Sequence, residues 1–121
     1  MKKRILTVDD SPSMRQMVRM TLETAGYDVE EAEDGVDALE KLQGKQVDMM
    51  ISDLNLPRMN GLDLVRQVRG QPQHKFIPII MLTTESLAAT KMEGKQAGAT
   101  GWIVKPFRED QLLKVVEKVL P

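Results

Sequence analysis

The chain has 121 residues, 41% of them hydrophobic, enough to require and fill one buried core, which excludes an extended disordered polymer. Lys and Arg number 17 against 18 Asp and Glu, a formal net charge of -1 that lacks the basic footprint of a general nucleic-acid binder. With no cysteine there are no disulfides or thiolate metal sites, a cytoplasmic setting fits, and the four-residue apolar run in MKKRILTV is too short for a signal-peptide core or a membrane span.

Five apolar runs alternate with five helical patterns, and no repeat, linker or low-complexity tract divides them, so residues 1–121 read as one domain. The first run is RILTVD (4–9). A helix follows, with Met14, Met17, Val18, Leu22 and Ala25 at helical spacing and Arg15, Gln16, Arg19 and Glu23 on its polar face. Ser11 then Pro12 is a helix start, a hydroxyl cap before a residue whose missing N–H is harmless there, and Gly26 ends the helix. The second run, YDVEEA (27–32), carries Asp28, Glu30 and Glu31, as an edge strand does. GVDALEKLQ is the second helix, VDMMISD (47–53) the third strand, and LDLVRQVR the third helix, stopped by Gly70 and Pro72. IPIIMLT (77–83) is the fourth strand, LAATKMEGKQ a weaker fourth helix interrupted by Gly94, and TGWIVK (100–105) the fifth strand. In the last helix Leu112, Leu113, Val116, Val119 and Leu120 make the apolar stripe, with Glu109 and Asp110 in the first turn and Lys118 in the last, as the helix dipole favours. Met14, Met17 and Met20, at three-residue spacing, read as core filler, and His74 as a solvent-exposed loop residue, since no second histidine exists to share a metal.

Alternating strands and helices predict an α/β fold: a doubly wound parallel (βα)5 sheet with helices on both faces. Runs one, three and four are almost purely apolar and belong in the centre, which gives the flavodoxin-like order 2-1-3-4-5. Sites in such sheets form beyond the carboxyl ends of the strands where strand order reverses, here between strands 1 and 3. Strand 1 ends in Asp9 and Asp10 and strand 3 in Asp53, so three carboxylates converge. Their mutual repulsion calls for a divalent cation, and an oxygen-only donor set suits Mg2+, with the backbone carbonyl of Asn55 as a further ligand. Strand 4 ends in Thr83-Thr84 and strand 5 in Lys105-Pro106 over the same crevice. A hydroxyl, an ammonium and a cation around a carboxylate suit phosphoryl transfer, with Asp53 as the nucleophile that becomes an acyl phosphate.

The segments VDDSPSMR, ISDLNLPRMNG, IIMLTTE and GATGWIVKPF, in this order and spacing, resemble the receiver domain of two-component response regulators, and within that family the stand-alone chemotaxis regulators. The resemblance implies that Asp53 accepts phosphate from a sensor histidine kinase. It implies that Asp9 and Asp10 hold Mg2+ with the Asn55 carbonyl, that Lys105 pairs with the phosphoryl oxygens, and that Thr83 moves its hydroxyl onto the phosphate. An aromatic on strand 5 would swing inward with it; here that residue is Trp102, where the family more often has Tyr or Phe. The output face would be the fourth helix, strand 5 and the last helix, with Lys91 and Lys95 one turn apart near Trp102. It would meet a partner such as the flagellar motor switch protein, the chain being a cytoplasmic monomer without nucleic-acid or membrane partners. A phosphorelay intermediate would share this site. A Mg2+-dependent aspartyl-nucleophile phosphohydrolase is less well matched, because its general acid two residues after the nucleophile is here Asn55, which cannot protonate a leaving group. A flavin carrier of the same fold is disfavoured by two negative charges in DDSPS, where a cofactor phosphate would sit.

Overall fold

The computed structural model describes residues 2–84, 95 and 97–120. Five parallel strands, β1 (Arg4–Val8), β2 (Asp28–Ala32), β3 (Met49–Asp53), β4 (Ile79–Thr83) and β5 (Gly101–Val104), form one sheet in the order β2-β1-β3-β4-β5. The helices are α1 (Pro12–Thr24), α2 (Gly35–Leu42), α3 (Gly61–Arg69) and α4 (Glu109–Val119). The helical pattern at 87–96 falls outside the described residues apart from Lys95, which is exposed; Lys91 lies outside them.

Period-two alternation divides the core between the sheet's faces. Leu6, Val8, Met50, Ile79 and Met81 meet Ala38 and Leu42 of α2 and Leu64, Val65 and Val68 of α3. Ile5, Met49, Ile51, Ile80, Leu82 and Ile103 meet Val18 and Leu22 of α1 and Leu112 and Val116 of α4. Strands β1, β3 and β4 have helices on both faces, which is why their sequences are nearly continuous apolar runs.

The strands are shorter than the apolar runs, for local reasons. Asp48 turns its carboxylate onto the Arg4 N–H (2.8 Å), and β3 begins one residue later. Pro78 has no N–H to give the ladder and only accepts, from Met50, so β4 starts at Ile79. At the start of α1 the Ser11 hydroxyl accepts the Met14 N–H, Pro12 occupies the first turn, and Gly26 leaves the helix at φ 99, as the sequence predicts.

Two expectations are corrected. Met20 is 60% exposed, while Met14 and Met17 pack on the core. Residues three apart drift by about 60° around a helix, so the third methionine rotates off the stripe that Val18, Thr21 and Leu22 continue. His74 is wholly buried rather than exposed. Its Nδ1 pairs with Gln71 Oε1 (2.9 Å) and its Nε2 lies 3.1 Å from the Lys45 carbonyl and 3.4 Å from the Val47 nitrogen, tying the loop before β4 to the loop before β3. A ring that meets loop backbone on one edge leaves no periodic trace in sequence. Trp102 lies on the α2–α3 side of the sheet, since Ile103 takes the α4 face.

Candidate functional site

Register places the predicted residues on one edge of the sheet. Val8 pairs with Ser52, Asp53 with Leu82 and Thr83 with Val104, so Asp9, Asp53, Thr83 and Lys105 all lie at carboxyl ends of adjacent strands. The ladder runs slightly past the strand ends. Asp9 N–H donates to Ala32 O (3.1 Å), Leu54 N–H to Leu82 O (2.9 Å) and Lys105 N–H to Thr83 O (2.7 Å), which makes the backbone of each terminal residue rigid.

Asp9 and Asp53 are buried and Asp10 is exposed. One oxygen from each carboxylate lies within 4.8 Å of the others. Lys105 Nζ stands between the two buried acids, 3.1 Å from Asp53 Oδ2 and 3.3 Å from Asp9 Oδ2. The Ser11 N–H donates to Asp9 Oδ1 (2.9 Å), and the Asn55 N–H to Asp53 Oδ1 (3.3 Å). Burial pushes the Asp9 carboxyl above its ordinary value; the Ser11 N–H and Lys105 act against it, and the Asp53 charge adds to it. One ammonium against three carboxylates leaves excess negative charge. The donors are all hard oxygens, so the cluster fits a small divalent cation and has no soft ligand to select another metal. Thr83 is buried at the end of β4, and the Lys105–Pro106 peptide is cis.

The loop after Asp53 is clamped. Gly61 N–H donates to Leu54 O (2.8 Å), and a Cβ at Gly61 would lie 2.5 Å from the Asp53 carbonyl oxygen, so only glycine allows the start of α3 to press on the end of β3. Arg58, at φ 65, donates through Nε (2.8 Å) and Nη2 (2.6 Å) to Asp34 Oδ2, while Asp34 Oδ1 caps α2 through the Asp37 N–H. On the other side, Arg15 Nη1 donates to the Asp9 carbonyl (2.6 Å), a contact that sequence reasoning missed by assigning Arg15 to a polar helix face. The available signal was a cation in the first four residues of a helix, where the dipole disfavours it.

A parallel 2-1-3-4-5 sheet with an acidic cluster and a lysine at the switch point is the arrangement expected of a signalling receiver, and the comparison with known families agrees. The chain belongs to the response regulator receiver domain family, whose model matches residues 5–117. It is 47% identical over 119 residues to chemotaxis protein CheY1 of Helicobacter pylori, covering 97% of this chain and 96% of CheY1. It superposes on the chemotaxis response regulator CheY4 of Vibrio cholerae with a TM-score of 0.96 at 53% identity, over 99% of this chain and 100% of CheY4. The receiver domain of a Pseudomonas aeruginosa sensor histidine kinase, solved with a magnesium ion coordinated in its active-site cleft, is 28% identical with a TM-score of 0.89, over 98% of both chains. The chain is thus a CheY-like response regulator receiver.

Proposed function

We propose that this receiver takes a phosphoryl group onto Asp53 from a sensor histidine kinase and, once phosphorylated, changes the surface it offers to a downstream protein. The observation that carries the reading is the position of Lys105, bridging Asp53 and Asp9 within a three-carboxylate cluster. In the transfer, an Asp53 carboxylate oxygen attacks phosphorus, the bond from phosphorus to the kinase imidazole nitrogen breaks, and an acyl phosphate forms as that nitrogen keeps the electron pair. Asp9, Asp10, Asp53 and the Asn55 carbonyl would hold Mg2+. When bound, the ion neutralises charge that develops on the phosphoryl oxygens.

Lys105 releases Asp53 and pairs with the phosphoryl oxygens, and the Thr83 hydroxyl moves onto the phosphate. Such a switch is a shift between two existing states biased by the new contacts. Trp102, half-buried beside the core, is the aromatic that would report it. Chemotaxis relatives favour a partner such as the flagellar motor switch protein, met through the β5–α4 side by a cytoplasmic monomer. The protein hydrolyses only its own acyl phosphate and has no separate turnover substrate; in support, Asn55 at the second position after Asp53 cannot serve as a leaving-group acid.

Incubation with Mg2+ and acetyl phosphate should add the mass of one phosphoryl group to the intact protein. Addition that persists in Asp53→Asn would overturn the assignment of the acceptor.

A further inference from the structure

The peptide between Asp9 and Asp10 joins the two acids that β1 brings to the cluster, and its carbonyl oxygen has a partner of its own. Arg15 Nη1 donates to it at 2.6 Å, and the same guanidinium is held at Nε by Glu31 Oε1 of β2 (3.3 Å). The path is local and explicable. Arg15 is the fourth residue of α1, and helical side chains lean toward the N-terminus, so a long one there reaches back past the Ser11 cap to the strand end. Glu31 lies opposite Thr7 in the β1–β2 register, two residues short of Asp9. Glu31 also accepts from Arg19 Nη1 (2.7 Å), and its own carbonyl from Lys41 Nζ (2.6 Å), so Glu31 is itself immobilised.

A cation near the start of a helix works against the dipole, and α1 has no acidic residue in its first turn to offset it. Arg15 is nonetheless largely buried against Glu31. With the Ala32 carbonyl accepting from the Asp9 N–H, and Ser11 and Lys105 on its carboxylate, the Arg15 bond completes the restraint of every polar group of Asp9.

We propose that Arg15 is a positioning residue of the acidic cluster, with Glu31 its holder. Fixing the Asp9–Asp10 peptide sets the angle at which the two β1 carboxylates face a shared cation. This rests on the reading above that the cluster binds Mg2+. Outer partners of metal ligands typically change affinity by about 10–100-fold when removed.

The test is Mg2+ titration by calorimetry together with thermal unfolding with and without Mg2+. Arg15→Met, which keeps the stem and loses the donors, should bind Mg2+ at least about 10-fold more weakly. Arg15→Lys, with an ammonium able to meet the same carbonyl, should recover part of the loss. A merely structural arginine would lower the unfolding midpoint equally in both conditions, whereas a positioning one shrinks the Mg2+-linked rise. Wild-type Mg2+ affinity in Arg15→Met, or equal loss in both conditions, overturns the proposal. If Arg15→Met does not fold, Glu31→Gln carries the test: a smaller loss of Mg2+ affinity is expected, and an unchanged one refutes the role. Failure of the wild type itself to bind Mg2+ would be distinct; it overturns the cation reading and takes this inference with it.

Discussion

Asp10→Asn isolates the cost of the acidic cluster. Asp10 contributes a charge to it and, unlike Asp9 and Asp53, forms no ion pair with Lys105. Two unit charges 4.8 Å apart repel by about 332/(20 × 4.8) ≈ 3.5 kcal/mol at an effective dielectric of 20, and by about 0.9 kcal/mol at that of water. Asp10 is exposed, so the lower figure governs each of its two repulsions, and some attraction to Lys105 is lost with the charge. The net expectation is that Asp10→Asn stabilises the metal-free protein by about 1 kcal/mol, roughly 0.3–1 M in urea midpoint. Added monovalent salt should narrow that gap. With Mg2+ at about 100 times its dissociation constant the wild type gains about 2.7 kcal/mol, and the variant, one carboxylate short, gains much less, so the order reverses. Urea unfolding followed by far-UV circular dichroism measures all four conditions. If Asp10→Asn is less stable than wild type without Mg2+, or both gain equally from it, the clustered-charge account fails.

The raised Asp9 pKa has a definite sign in stability. A carboxyl that holds its proton more tightly when folded adds no cost below its unfolded value of 3.8 and a growing cost as pH rises through the raised folded value, so the advantage of metal-free Asp9→Asn over wild type should shrink on acidification through that window; an advantage constant with pH would contradict it. Lys105→Ala exposes two buried acids to each other, so its metal-free form should unfold at lower urea than wild type, and a phosphorylated sample should lose the change in Trp102 fluorescence. Gly61→Ala forces a Cβ against the Asp53 carbonyl and the Leu54 Cα; about 1–3 kcal/mol of stability should be lost, with slower phosphorylation by acetyl phosphate, and a neutral result would mean the loop yields freely. His74→Ala removes a buried ring from the opposite end of the sheet, leaving loop groups unpaired at roughly 1–3 kcal/mol each, yet the phosphorylation rate of the folded protein should be unchanged.

The sequence by itself determined the five strands, four of the helices and the strand order. Short, almost purely apolar runs between helical patterns read as strands covered on both faces, the acidic run at 28–32 as an edge strand, and a carboxylate that ends such a strand lies at the sheet's carboxyl end. The placing of Asp9, Asp10, Asp53, Thr83 and Lys105 at one edge of the sheet was legible for that reason, because strand ends are set by local pattern and topology brings them together. Tertiary structure alone decided which partners hold those groups. The grip of Arg15 on the Asp9 carbonyl, the pairing of Arg58 with Asp34, the burial of His74 and the face that Trp102 covers all depend on where a side chain from one element meets backbone or charge from another. Hydrophobic periodicity records how much apolar surface an element buries and on which side. It carries no record of what a polar side chain touches across the fold, because that contact is set by register and packing between segments far apart in the chain.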